Sequence, residues 1–139
     1  MSLRTASNNK GSVRFGMIER IAFKQKTTAV TATRTLKASD SGTVFLIGAA
    51  NLVITLPATA VGLVFQFVLL TAGLSAGTGL SISPAAADNI YGNGLTAVDN
   101  KDLILAGAGD RVGDLVVLCG DGVDGYYIDR LLGTWTKEA

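Results

Sequence analysis

Histidine is absent from this 139-residue chain, cysteine occurs once and proline twice. Each shortage removes a class of chemistry. Without histidine there is no imidazole general base, no His-ligated zinc and no Ser-His or Cys-His nucleophile pair. Carboxylates and lysines remain, but the sequence places no two of them as an acid–base pair, so no catalytic residue and no enzymatic activity are expected. The single Cys119 excludes an internal disulfide framework and a Cys-rich metal site. Lying within "DLVVLCG", it reads as a buried strand thiol. No cofactor and no metal are expected. With proline so scarce, turns fall mainly to the 17 glycines.

A long uninterrupted apolar run is also missing. The most hydrophobic stretch, "NLVITLPATAVGLVFQFVLL" (51–70), is broken by Thr55, Pro57, Thr59 and Gln66, whereas a spanning helix needs roughly 20 continuous apolar residues. No membrane association is expected. The opening "MSLRTASNNKGSVRFG" has no apolar core of the kind a secretory leader carries, and synthesis in the cytoplasm is expected. Pro57 and the wealth of Val, Ile, Thr and Phe argue against a helix for 51–70 and for two strands joined by "PATAVG". Leu52, Ile54 and Leu56 share one face of the first strand. Leu63, Phe65, Phe67 and Leu69 share one face of the second. The other face of that second strand, Val64, Gln66, Val68 and Leu70, is nearly as apolar, so it too needs cover. Either a neighbouring subunit supplies it or the strand is central within one chain. The first alternative makes Val64, Gln66 and Val68 candidate subunit-interface residues and predicts a homo-oligomer.

The rest of the chain repeats the pattern of short strands. Residues 20–38 read as one or two strands, "SDSG" as a turn, and "TVFLIG" and "LSISP" as strands. Further strands are expected around Asn89–Tyr91, Asp102–Leu105, "DLVVLCG" and "YYIDRLLGTW", separated by Gly/Asp turns. No helical period competes and no fixed-period repeat is visible. The expected fold is all-β, a compact sandwich or barrel-like domain over 20–139 preceded by an extended N-terminal arm over 1–19.

Charge is distributed unevenly. Residues 1–37 hold eight basic residues and one acidic; the remainder holds four basic and ten acidic. A basic arm on a mildly acidic body is implied, with Arg4, Lys10, Arg14 and Arg20 as its candidate binding residues. The arm lacks an aromatic stacking platform, so no specific nucleic-acid partner is expected. Asp110, Asp114, Asp121 and Asp124 do not follow the regular spacing of a calcium loop and read as turn-capping residues. "GNG" and "GTG" lack a following GK[ST] and read as turns. Tyr91, Tyr126, Tyr127 and Trp135 could form a sugar-stacking platform. The adjacent tyrosines should point to opposite faces of one strand, one of them into the core.

From about residue 35 to 136 a set of motifs stands out: the "ITLPA" turn, the glycine-led "GLVFQFV", "ISP…D.I.G" and the closing "V.L..DG…YYI…GTW". Together they resemble a β-rich module of tailed-bacteriophage structural proteins, found in capsid decoration (cement) proteins and in tail-fibre or appendage proteins. Absence of a stalk, heptads or collagen-like repeats, together with the basic arm, favours the decoration group. The resemblance implies a non-catalytic virion protein on the outer surface of the assembled capsid. Its partner would be the major capsid protein, gripped through the N-terminal arm, and its assembly commonly a homotrimer. The alternative it leaves open is an appendage protein that binds a host surface glycan.

Overall fold

A computed structural model of the chain describes residues 25–71, 79–105 and 109–139. The described residues are all-β, with one short 3-10 turn at Ala38–Asp40 and no α-helix. Eleven strands follow in order: β1 (Thr27–Val30), β2 (Arg34–Thr35), β3 (Val44–Ile47), β4 (Leu52–Thr55), β5 (Val64–Leu69), β6 (Leu80–Ser83), β7 (Asn89–Tyr91), β8 (Leu103–Leu105), β9 (Leu115–Gly120), β10 (Gly125–Leu132) and β11 (Trp135–Lys137). They form two mixed sheets. One has six strands in the order β1-β3-β5-β9-β10-β7, the other five in the order β11-β8-β6-β4-β2.

From β1 to β6 the chain changes sheet at every step. Two steps complete one turn of a winding, so β1, β3 and β5 lie parallel in one sheet and β2, β4 and β6 parallel in the other. The two strands expected within 51–70, β4 and β5, are therefore not paired; the "PATAVG" connection carries the chain across the sandwich. After β6 the pattern reverses. β8 and β9 add antiparallel to β6 and β5, β10 folds back on β9, and β7 docks parallel at the far edge against β10.

Strict alternation of side chains creates one core between the sheets. Phe45, Ile47, Phe65, Phe67 and Leu69 point inward from one sheet and meet Ile54, Leu80, Ile82, Leu103 and Leu105 from the other. Phe45 and Phe67, register partners on neighbouring strands, stack with centroids 5.4 Å apart. Tyr126 is fully buried beside Phe65 while Tyr127 is 41% exposed, as expected for neighbours on one strand. At the mouth of the sandwich Arg34 lies over the Phe45 ring, 5.5 Å from its centroid, and 3.8 Å from Asp40. One sequence expectation fails here. In β9 the inward positions are Val116 and Leu118, so Cys119 is not a core thiol but sits half-buried on the outer face.

Gly125 opens β10 at a φ of +147° where the strand presses on β7. A Cβ there would fall inside the van der Waals envelope of the Asn89 carbonyl and amide, which are backbone atoms and cannot swing aside. Gly94, at φ +85°, has open space around it. Gly94→Ala is expected to cost about 1–2 kcal/mol, the left-handed backbone penalty alone. Gly125→Ala should cost at least about 3 kcal/mol, because the β7–β10 pairing has to shift. Urea unfolding of both variants measures the difference.

Candidate interaction face

The two sheets differ most on their outer sides. Register alignment sorts the outward residues of the six-stranded sheet into three rows across the strands. The first runs Ala29, Leu46, Val68, Leu115, Leu132; the second Thr27, Val44, Gln66, Val117, Arg130; the third Val64, Cys119, Tyr127, Tyr91. Ten of these fourteen are apolar or tyrosine, counting Val44, Leu46, Val64, Val68, Leu115, Val117, Leu132, Ala29, Tyr91 and Tyr127. The five-stranded sheet presents Val53, Ser81, Ile104 and Thr136 in one row and Thr35, Thr55 and Ser83 in another. Hydroxyl side chains make that surface polar, and Ser81, itself buried, donates its hydrogen bond to Asp102. Every described strand belongs to one of the two sheets, so none of them covers the apolar outer face.

The three candidate interface residues, Val64, Gln66 and Val68, fall on that face, at the outward positions of β5. Val64 is 36% exposed, Leu132 58% and Tyr127 41%, whereas Val117 near the middle is buried. The sequence reading missed Val44, Leu46, Leu115 and Val117. A signal for the last two was present, since "LVVL" is apolar at consecutive positions just as β5 is. A β-bulge between Ile128 and Arg130 inserts Asp129 at the β10 flank. Its charge, with the thiol itself, bears on Tyr127: the hydrogen bond with Cys119 comes first in pushing that phenol up, and Asp129 adds to it. The Cys119 thiol is pushed up by burial, partly offset by its hydrogen bond with Tyr127. Neither Asp129 nor Arg130 forms an ion pair among the described residues; the pair seen there is Arg34–Asp40.

The candidate arm residues Arg4, Lys10, Arg14 and Arg20 lie outside the described residues. The four aromatics do not form one platform. Tyr126 is in the core, Trp135 is buried with its indole N–H on the Leu132 carbonyl, and Tyr91 and Tyr127 alone are register neighbours on the outer face. Two of the four aspartates cap turns, as expected. Asp114 accepts the Arg111 N–H at 2.8 Å, and Asp121 caps the β9–β10 turn. No group of three His, Cys, Asp or Glu side chains among the described residues could hold a metal. An open cleft of about 460 Å³ lies beside Arg111, Asp114 and Gly133, and its one buried carboxylate, Asp114, is already engaged in the turn.

At one end of the sandwich, loops distant in sequence are tied together. The Tyr126 hydroxyl donates to the Pro57 carbonyl at 2.8 Å. Thr59 donates its N–H to Asp88 Oδ2 at 2.7 Å and its hydroxyl to the Gly125 carbonyl at 2.6 Å, and accepts the Gly122 N–H at 3.1 Å. Asp121 Oδ1 accepts the N–H groups of Val123, Asp124 and Gly125, while Tyr91 donates to Oδ2 at 2.7 Å. The N–H groups of Gly125 and Val123, followed by the Tyr91 hydroxyl, hold the Asp121 carboxyl well below the usual carboxylate range. The same hydrogen bond pushes the Tyr91 phenol up to about 12. Burial, reinforced by Asp88, pushes Tyr126 up as well.

Comparison with known protein families, characterised proteins and solved structures finds no match to this chain.

The Tyr91–Asp121 pair sets a pH window. A depressed carboxyl contributes stability that is present above its unfolded value of about 4 and lost as pH falls toward the folded one. A raised phenol contributes stability present below its unfolded value of about 10 and lost as pH climbs toward the folded one. The stability gap between wild type and Asp121→Asn, from urea unfolding, is expected to stay level from about pH 5 to 9 and to narrow below about pH 4. The gap for Tyr91→Phe should narrow above about pH 10. Thr59→Val, which removes one donor and one acceptor from the knot, is expected to cost about 1–3 kcal/mol.

Proposed function

We propose that this is a non-catalytic structural protein of a tailed-phage virion. It binds the outer surface of the assembled capsid through the major capsid protein and stabilises the shell as a decoration protein, assembled as a homotrimer. The observation that supports this best is the loop knot. The motifs that carry the resemblance, "ITLPA", "ISP…D.I.G" and "DG…YYI", contribute Pro57, Asp88, Asp121, Gly122 and Tyr126 to it, joined directly or through Thr59, Tyr91 and Gly125, which lie beside or between the motif positions. That motifs far apart in sequence meet at one end of the sandwich supports reading them as parts of one module. The basic segment 1–37 on an acidic body adds the means to dock on an acidic shell.

A second reading, an appendage protein binding a host glycan, draws on the neighbouring Tyr91 and Tyr127 of the outer face. Copy number separates the two. A decoration protein is expected at a copy number that scales with the capsid protein, an appendage protein at a handful per particle. A quantified gel of purified virions decides between them, and absence of the chain from particles would remove both.

The arm carries its own test. A chain lacking residues 1–19 is expected to fold and yet leave capsids undecorated; saturation of heads by the truncated chain with unchanged affinity would reject the arm's role. Salt separates charge from packing. Exposed ion pairs contribute about 0–1 kcal/mol each and are screened beyond about 10 Å at 0.1 M. Rising salt is therefore expected to slow attachment while leaving dissociation from decorated heads nearly unchanged, as followed by pelting particles through a cushion at each salt step. Rapid stripping by moderately high salt alone would make charge the principal tether.

A further inference from the structure

We propose that the outer face of the six-stranded sheet is a homo-oligomer interface, turned toward the symmetry axis and occupied in solution by further copies of this chain whose Gln66 side chains meet at or near that axis. The proposal rests on the oligomeric part of the function given above, not on the capsid part. Gln66 is the central residue of the central row, flanked by Val44 and Val117, with Leu46, Val68 and Leu115 in the row beside it. Residues near a symmetry axis meet their own copies. A charge there would face a like charge, so self-association requires an uncharged centre, which a different partner would not impose. An amide satisfies the requirement and adds something: it carries both donors and an acceptor and can pair with itself. The charges of this face lie at the β10 flank, where Asp129 and Arg130 place opposite signs side by side. Such a rim carries no net charge to repel a neighbouring copy.

The extent of the face sets the strength of the contact. The six strands span five gaps, and β5 and β9 run six residues each. At about 4.8 Å per gap and about 3.3 Å per residue, the face covers about 24 by 20 Å, or about 480 Å². Patches of about 300–600 Å² are the largest that monomers commonly expose, and a standard interface takes about 800 Å² from each partner. Two copies would together bury about 960 Å², the size of a weak, reversible association.

The decisive experiment is sedimentation equilibrium of the full chain with two substitutions at one outward position. Wild type is expected at a multiple of the 14.3 kDa chain mass. Gln66→Lys, which places like charges at the axis, should weaken self-association at least about 100-fold and give the chain mass where wild type is assembled. Gln66→Leu should stay assembled. Gln66 points away from the core, so both variants are expected to keep the wild-type far-UV circular dichroism. The single cysteine, Cys119, reports on the same face: maleimide should label it slowly in wild type and at least about 10-fold faster in Gln66→Lys. Wild type at the chain mass at all concentrations, or Gln66→Lys assembled like wild type, would overturn the proposal. So would dissociation on removal of residues 1–24, which would make that segment the occupant. Capsid binding is read separately. A monomeric wild type that decorates heads sinks this inference and leaves the decoration reading; an assembled one that ignores heads does the reverse.

Discussion

A chain that changes sheet at every step from β1 to β6 has to cross the ends of the sandwich repeatedly, and each crossing leaves backbone groups that neither sheet satisfies. The interaction on which the rest depends is the one that closes such an end, the set of hydrogen bonds around Thr59. With a single side chain and its own N–H, Thr59 joins the β4–β5 crossing to Asp88, just before β7, and to Gly122 and Gly125 in the β9–β10 turn. Tyr126 reinforces it from inside the core by reaching Pro57. These groups hold β7 against β10 and so fix the edge of the six-stranded sheet. Asp121, ionised over ordinary pH, in turn holds the turn whose N–H groups it accepts.

From this closure the contrast between the sheets follows. Once that end is tied, the inward residues of both sheets are used by one core, and each outer side is free to take whatever composition its surroundings demand. The five-stranded sheet shows Ser and Thr. The six-stranded sheet shows Val and Leu in adjoining rows. Isolated exposed hydrophobic residues mean little, but contiguous ones across four neighbouring strands demand a covering surface.

Much of this was legible in the sequence. Each strand from β3 to β6 announces itself by β-branched and aromatic residues between turn formers, and the inward sets Leu52, Ile54, Leu56 and Leu63, Phe65, Phe67, Leu69 are all buried. What could not be read was which strand neighbours which. The windings are unequal in length, with Thr27 paired to Val44, Val44 to Gln66 and Leu52 to Leu80, so no repeat period exists to betray them. Strands joined by a short loop invite pairing, yet β4 and β5 lie in opposite sheets. Cys119 was misplaced for a related reason. In "DLVVLCG" both faces are apolar, and periodicity alone does not say which one points inward. The candidate face suffered from the same limit. Apolarity on both sides of β5 flagged Val64, Gln66 and Val68, but their neighbours on β3 and β9 become neighbours only through the register.

The energetics of that face explain why its centre matters so much. At about 480 Å² per copy the face is smaller than the roughly 800 Å² that a stable interface takes from each partner. Association costs on the order of 4–15 kcal/mol in lost freedom. A contact of that size offsets this cost with little surplus, so the proposed copy-to-copy contact responds steeply to any change at Gln66. An assembly near balance gains from anything that holds several copies together. On the proposed function, that is the shell itself. Each copy bound through its basic arm raises the effective concentration of its neighbours, and each assembled oligomer presents several arms at once. The apolar face and the charged arm then do different work. Charge governs how fast the protein arrives, and the linked contacts govern how long it stays.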